Sequence, residues 1–231
     1  MSSTDQHRPG AVSSVLHHAR LEGVRSQVAF SLLLDTLARP GTVRSIATVG
    51  LPAGVPSPLV VPLALADVET SVAVVDADPD ATWAVLVVDA TGAPLADPTE
   101  AAQVVFLSGF DATDVLAVRR GTSADPEDGT RVAIACRGLQ PLDADPGEAD
   151  DRPAGPAGVV VALSGPGVEG TRHLRVDGLD PAVFAAIAEA NRMFPAGIDC
   201  WLVSADGDLA AIPRSTRIEC LHSSTTNEER V

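Results

Sequence analysis

The apolar residues of this chain fall into short segments, some at helical spacing and some in strand-like runs. Residues 23–39 carry leucine, valine and phenylalanine at helical intervals, and Pro40-Gly41 follows directly. This pattern predicts a helix that ends at the glycine. Other apolar runs are short and rich in β-branched residues, which is typical of buried strands. They cover residues 72–75, 103–107, 131–136 and 159–163.

Further helices and strands are predicted from helix-capping residues and from the spacing of apolar residues. Residues 111–120 predict an amphipathic helix capped by Asp111 or Thr113, and Asp180-Pro181 predicts the start of a helix over 182–193. Residues 42–49 indicate a short strand and 59–67 a buried segment. Residues 81–88 are compatible with either a strand or a helix. Strands separated by helices predict an α/β fold, and adjacent strands late in the chain predict a mixed sheet.

The late pair of strands has the clearest turn signal. Apolar residues 198–203 and 209–212 are joined by a segment that contains Asp206-Gly207. An Asp-Gly pair between two such runs predicts a β-hairpin, because the tight turn needs the positive φ angles that glycine adopts readily.

A candidate anion site lies at the end of this hairpin. Arg214, Ser215 and Thr216 follow Pro213 and could hold a phosphate or carboxylate, but they could equally be a solvated strand end. Asp199 lies in an apolar run, where a carboxylate usually has a partner, so it is a candidate to pair with Arg214 or Arg217.

Residues 165–170 match the GxGxxG pattern of dinucleotide-binding loops, but their context differs. In a nucleotide site the pattern opens a helix, whose N-terminus holds the pyrophosphate. Here residues 171–176 alternate like a second strand. The glycines therefore predict a hairpin turn, in which Gly165 and Gly167 could allow a ligand to approach the backbone closely.

Composition narrows the possible functions. The formal charge is −15, and each of the 16 basic residues is an arginine. This acidity argues against nucleic-acid or anionic-membrane binding. The absence of lysine excludes a pyridoxal phosphate Schiff base and a phosphate-loop lysine. No apolar stretch reaches the length of a membrane span, and the first residues are not a signal peptide, so we expect a cytoplasmic protein. We also expect it to have no cofactor.

The reactive side chains form no recognisable catalytic or metal motif. The three cysteines, Cys136, Cys200 and Cys220, are interpreted as structural thiols. His173 or Asp199 could act as a base if the chain were a stand-alone enzyme or binding protein for a phosphorylated or acidic metabolite.

The predicted organisation is one domain with polar extensions. We expect a flexible arm over residues 1–20, a single domain over 21–220 with an acidic loop at 143–157, and a flexible tail over 221–231.

Three blocks of sequence together resemble the PhnH family, a subunit of the bacterial carbon–phosphorus lyase core complex. The blocks are FSLL through ARPG at residues 30–41, RGT, PE, GT and LSGPG between residues 120 and 167, and FPAGID through AIPRST at residues 194–216. Their order and spacing agree from about Phe30 to Cys220. Two features depart from the family pattern, namely Ser31, where the family commonly has arginine, and the acidic insertion.

The resemblance implies a three-layer α/β/α fold with a mixed sheet, similar to pyridoxal-phosphate-dependent transferases but without the cofactor. It favours a helix at residues 81–88. It also implies PhnG-, PhnI- and PhnJ-like partner subunits, a homodimer when the chain is isolated, and a possible phosphonate or nucleotide ligand. The implied role is an accessory one in forming alpha-D-ribose 1-alkylphosphonate 5-triphosphate from ATP and an alkylphosphonate. It names no catalytic residue and no metal in this chain.

Overall fold

The computed structural model describes residues 19–142 and 158–221. The predicted arm, acidic loop and tail lie outside these ranges, apart from residues 19, 20 and 221. The helices are α1 Val24–Ala38, α2 Val60–Leu65, α3 Trp83–Thr91, α4 Ala112–Ala117 and α5 Pro181–Ala190. The strands are β1 Arg44–Ser45, β2 Val72–Val75, β3 Gln103–Phe106, β4 Arg131–Cys136, β5 Gly138–Leu142, β6 Gly158–Ser164, β7 Arg172–Asp177, β8 Asp199–Ser204, β9 Asp208–Ile212 and β10 Arg217–Leu221.

The main sheet is mixed, as the sequence predicts. Its six strands have the order β1-β9-β8-β4-β3-β2. Strands β2, β3, β4 and β8 are parallel, whereas β9 pairs antiparallel with β8 and with β1. The predicted hairpin of residues 198–212 is confirmed as β8–β9, with Gly207 at a φ of 84°.

A second sheet corrects the expectation of a single sheet between two helical layers. It is antiparallel, with the order β10-β6-β7-β5. Its centre is the β6–β7 hairpin, so the interpretation of the glycine-rich segment as a turn is confirmed. Strands β5 and β10 were not predicted, because residues 138–142 contain glycine and proline and residues 217–221 are half exposed.

Two apolar cores lie on the two faces of the main sheet. One core joins α1, α2 and α3 to side chains such as Val105, Ala133 and Trp201. The other joins alternate residues of the same strands, such as Val132 and Leu202, to α4, α5 and the second sheet. This alternation follows from the period of two along a strand. The layers are therefore helices, the mixed sheet, and then helices together with the second sheet.

Several local predictions are confirmed. Asp111 caps α4 by accepting from the backbone N–H groups of Thr113 and Asp114, and Asp180 caps α5. Residues 81–88, ambiguous in sequence, lie largely within α3. The strand predicted over residues 42–49 is shorter than expected, because β1 has two residues and a 3₁₀ turn follows it.

Candidate functional site

Arg214 and Asp199 form an ion pair at the amino-terminal edge of the parallel strands. Asp199 begins β8, and Arg214 lies just beyond the end of β9. Arg214 Nη2 is 2.7 Å from Asp199 Oδ2, and Nε is 3.2 and 3.1 Å from the two carboxylate oxygens. The Arg214 backbone N–H also donates to Asp199 Oδ1 at 2.9 Å. The sequence left Arg214 and Arg217 open as partners, and the structure pairs Asp199 with Arg214.

Arg214 also joins two loops. Its Nη1 donates to the carbonyl oxygen of Pro126 and lies 3.5 Å from that of Pro195. The side chains of Arg214 and Asp199 are only 15% and 22% exposed. We call the pair and these two carbonyl groups the Arg214 junction.

The junction brings together sequence blocks that are far apart in the chain. The loop of residues 120–130 supplies Pro126, and the loop of residues 194–198 supplies Pro195. The Gly197 N–H donates to the carbonyl of Arg120 at 2.7 Å, which ties the two loops directly. These segments carry much of the family resemblance. In the structure, their residues make the hydrogen bonds that hold the two loops in place.

The other predicted site residues lie beside the junction. Gly165 faces the turn that follows Arg214, since a Cβ atom added to it would be 3.0 Å from the Ser215 carbonyl oxygen. Thr216 is buried, and its hydroxyl has no hydrogen-bond partner among the described residues. Gly167 instead packs against the end of α1 at Ala38. The structure therefore groups Arg214, Ser215, Thr216, Asp199 and Gly165, whereas Gly167 lies against α1.

The geometry limits what Arg214 can offer to a ligand. A guanidinium has five N–H donors. Nε and one N–H of Nη2 donate to Asp199, and Nη1 donates to the two carbonyls. One N–H of Nη2 therefore has no partner among residues 19–142 and 158–221. An anion at Arg214 would have this N–H to bind and would lie next to the negative charge of Asp199.

The remaining candidate groups are dispersed. His173 lies on β7 of the second sheet, whereas Asp199 lies in the main sheet and both of its oxygens accept from Arg214. Burial raises the pKa of Cys136 to about 12 and also raises the pKa of Cys200. These two thiols are therefore protonated at neutral pH, in agreement with a structural role.

A cleft of about 470 Å³ opens at the opposite edge of the main sheet, beyond the carboxyl ends of β2, β3, β4 and β8. Ligands of open α/β sheets commonly bind at such an edge. Asp76 Oδ1 lies on this cleft and accepts from the Ser108 hydroxyl at 2.6 Å. The described lining contains this carboxylate and no arginine, so it suits hydroxyl or N–H donors better than phosphate. The sequence signals for it were Asp76 directly after β2 and Ser108 two residues after the end of β3.

Within residues 19–142 and 158–221, none of the helices is both long enough and apolar enough to cross a membrane.

The fold is that of an α/β protein with a mixed sheet and a second, antiparallel sheet. Residues of its distinctive sequence blocks hold two loops together at the Arg214 junction. The chain matches the family described as "Bacterial phosphonate metabolism protein (PhnH)" over residues 21–219 and belongs to that family. It is also similar to a protein named "Putative C-P lyase subunit protein HtxG" from Stutzerimonas stutzeri, with 41% identity over 56 residues. That alignment covers 24% of this chain and 28% of the relative.

Proposed function

We propose that this protein is an accessory subunit of a carbon–phosphorus lyase core complex and acts in the cytoplasm with PhnG-, PhnI- and PhnJ-like subunits. The observation that carries the proposal is the family match over residues 21–219. The similarity to the Stutzerimonas stutzeri protein named as a C-P lyase subunit supports it over a shorter stretch. Family membership further supports a homodimer of the isolated chain and a likeness to the pyridoxal-phosphate-dependent transferase fold without its cofactor.

The proposed reaction of the complex is the displacement of adenine from ATP by an alkylphosphonate. The bond between ribose C1 and the adenine nitrogen breaks, and a bond from C1 to a phosphonate oxygen forms. The product is alpha-D-ribose 1-alkylphosphonate 5-triphosphate. In this proposal the present chain supports the reaction as part of the assembly, and no catalytic residue is assigned to it.

The test is co-expression of the PhnG-, PhnI- and PhnJ-like subunits from the same genome with and without this chain. We expect the chain to co-purify with them, and we expect adenine release from ATP and methylphosphonate to fall to background without it. The isolated chain should release no adenine. Turnover by the isolated chain, or failure to co-purify, would contradict the proposal.

The anion site predicted for Arg214, Ser215, Thr216, Gly165, Gly167 and Asp199 stays a prediction. If a phosphonate binds there, we expect it to use the remaining Nη2 N–H of Arg214 and the Ser215 hydroxyl. Loss of one hydrogen bond to a charged group should then weaken binding about tenfold in Ser215→Ala. Calorimetric titration of wild type and Ser215→Ala with methylphosphonate measures this difference, and equal affinities would argue against the site.

A further inference from the structure

We propose that Met193 and Phe194 form a docking knob for another protein subunit, one with an apolar pocket bordered by arginine or lysine side chains. The inference rests on the proposed function, because it names the surface through which the chain joins a complex. The two residues follow α5 and precede β8, and we call them the Met193–Phe194 knob.

The knob exposes an aromatic side chain in a protein that has few aromatic residues. Met193 is 64% and Phe194 is 62% exposed. The chain has only five phenylalanines, two tryptophans and no tyrosine. Trp201, Phe106 and Phe184 are fully buried. An adjacent methionine and phenylalanine on the surface are the residue types that are enriched at protein interfaces.

The backbone that follows the knob is already fixed. The Gly197 N–H donates to the carbonyl of Arg120 at 2.7 Å. The Ile198 N–H donates to Asn191 Oδ1 at 2.7 Å. A loop held in this way loses little conformational freedom when a partner binds, so more of the apolar burial contributes to affinity.

The loop beside the knob presents negative charge. The carbonyl oxygens of Pro126 and Pro195 both lie within reach of Arg214 Nη1, so residues 125–128 are neighbours of the knob. Three carboxylate side chains of this loop are exposed. They belong to Asp125, Glu127 and Asp128.

The arginines in the segments around the knob offset these carboxylates only in part. Arg120 donates to the carbonyl of Leu116 at 2.9 Å. Arg192 pairs with Glu189 at 3.1 Å. Arg119 is only partly exposed. Arg120 is also only partly exposed, so the fully exposed side-chain charge next to the knob is mainly acidic. This charge complements a basic rim on the partner.

The same charges argue against a second copy as the occupant. The chain carries a formal charge of −15, and a two-fold contact through the knob would set one acidic rim against another. Like charges brought together at an interface weaken association. A homodimer of the isolated chain should therefore use a different surface.

The first experiment compares Phe194→Ala with Phe30→Ala. Phe30 is a matched control, because it is a phenylalanine that is 50% exposed on α1. Each purified variant is titrated by biolayer interferometry against the co-expressed PhnG-, PhnI- and PhnJ-like subunits. We expect Phe194→Ala to bind about 30-fold more weakly than wild type, the size of an interface hot spot. Phe30→Ala should bind like wild type, and the melting temperatures of all three proteins should agree.

The second experiment tests the acidic rim. The double variant Glu127→Gln, Asp128→Asn should slow association and reduce its dependence on salt concentration. The control Asp89→Asn, Asp206→Asn removes the same charge from exposed positions on α3 and in the β8–β9 turn, and it should leave both quantities unchanged.

The outcomes separate the inference from the proposed function. If wild type does not bind the subunits, both are overturned. If wild type binds and Phe194→Ala binds equally well, only the docking knob is overturned. The knob is also overturned if Phe194→Ala converts a wild-type dimer to a monomer in light scattering while subunit binding is unchanged.

Discussion

Replacing Arg214 by alanine is expected to lower the free energy of unfolding by about 3 kcal/mol. The substitution leaves the Asp199 carboxylate without its ion-pair partner, and it also removes donors to the carbonyls of Pro126 and Pro195. Breaking a buried pair from one side typically costs about 3–5 kcal/mol. We expect the lower end of that range, because both side chains keep some contact with water.

Urea denaturation of wild type, Arg214→Ala and Arg217→Ala measures this difference. Arg217 is the control, since it is an exposed arginine on β10 three residues further along the chain. Its substitution should change stability by no more than about 0.5 kcal/mol. Arg214→Lys should not restore the loss, because an ammonium cannot serve a carboxylate and two carbonyls in the fork geometry of a guanidinium. Equal effects of Arg214→Ala and Arg217→Ala would show that the Arg214 junction contributes nothing to stability.

Gly121→Ala is expected to destabilise the protein by about 3 kcal/mol, for two separate reasons. Gly121 has a φ of +65°, where a residue with a Cβ atom is strained. The added Cβ would also lie 2.7 Å from the Asp125 carbonyl oxygen and 2.9 Å from the Gly129 nitrogen. Both neighbours are backbone atoms of the loop that places Pro126 on Arg214, so relief of the clash disturbs the junction.

Gly170→Ala separates the two effects. Gly170 has nearly the same φ, +67°, but no atom of the part of the chain that the structure describes lies within 4 Å of an added Cβ. Its substitution should therefore cost about 1 kcal/mol from backbone strain alone. The difference between the two variants, measured by urea denaturation, reports the crowding at Gly121. Equal losses would mean that the 120–130 loop relaxes freely around the new methyl group.

Local features of the fold could be predicted where neighbours in sequence decide the outcome. The Asp206-Gly207 turn, the Asp111 and Asp180 caps and the end of α1 at Pro40-Gly41 depend on backbone angles and hydrogen bonds within a few residues. The strands of the main sheet other than β1 were also visible, because each buried run is apolar almost throughout.

The second sheet could not be predicted in the same way. Strands β5 and β10 form its edges, and each is an extended segment only because β7 or β6 supplies the hydrogen-bonding partner. Their own residues include glycine, proline and exposed charges, so no local preference marks them as strands.

In residues 83–91 the tertiary structure overrides a local preference. Their β-branched content favours a strand, but burial of Leu86, Val87 and Ala90 against α2 and β2 makes them a helix.

The candidate site, like the fold, could be predicted only in part from the sequence. The sequence by itself determined that an arginine follows the β8–β9 hairpin, that Asp199 needs a partner, and that no lysine is present for cofactor chemistry. Only the tertiary structure decided that Arg214 rather than Arg217 forms the ion pair with Asp199. It also decided that the other donors of Arg214 bind carbonyl groups of two distant loops. It also placed Met193 and Phe194 on the surface beside an acidic loop. These outcomes depend on contacts between segments far apart in the chain, and such contacts leave no periodic pattern in the residues that make them.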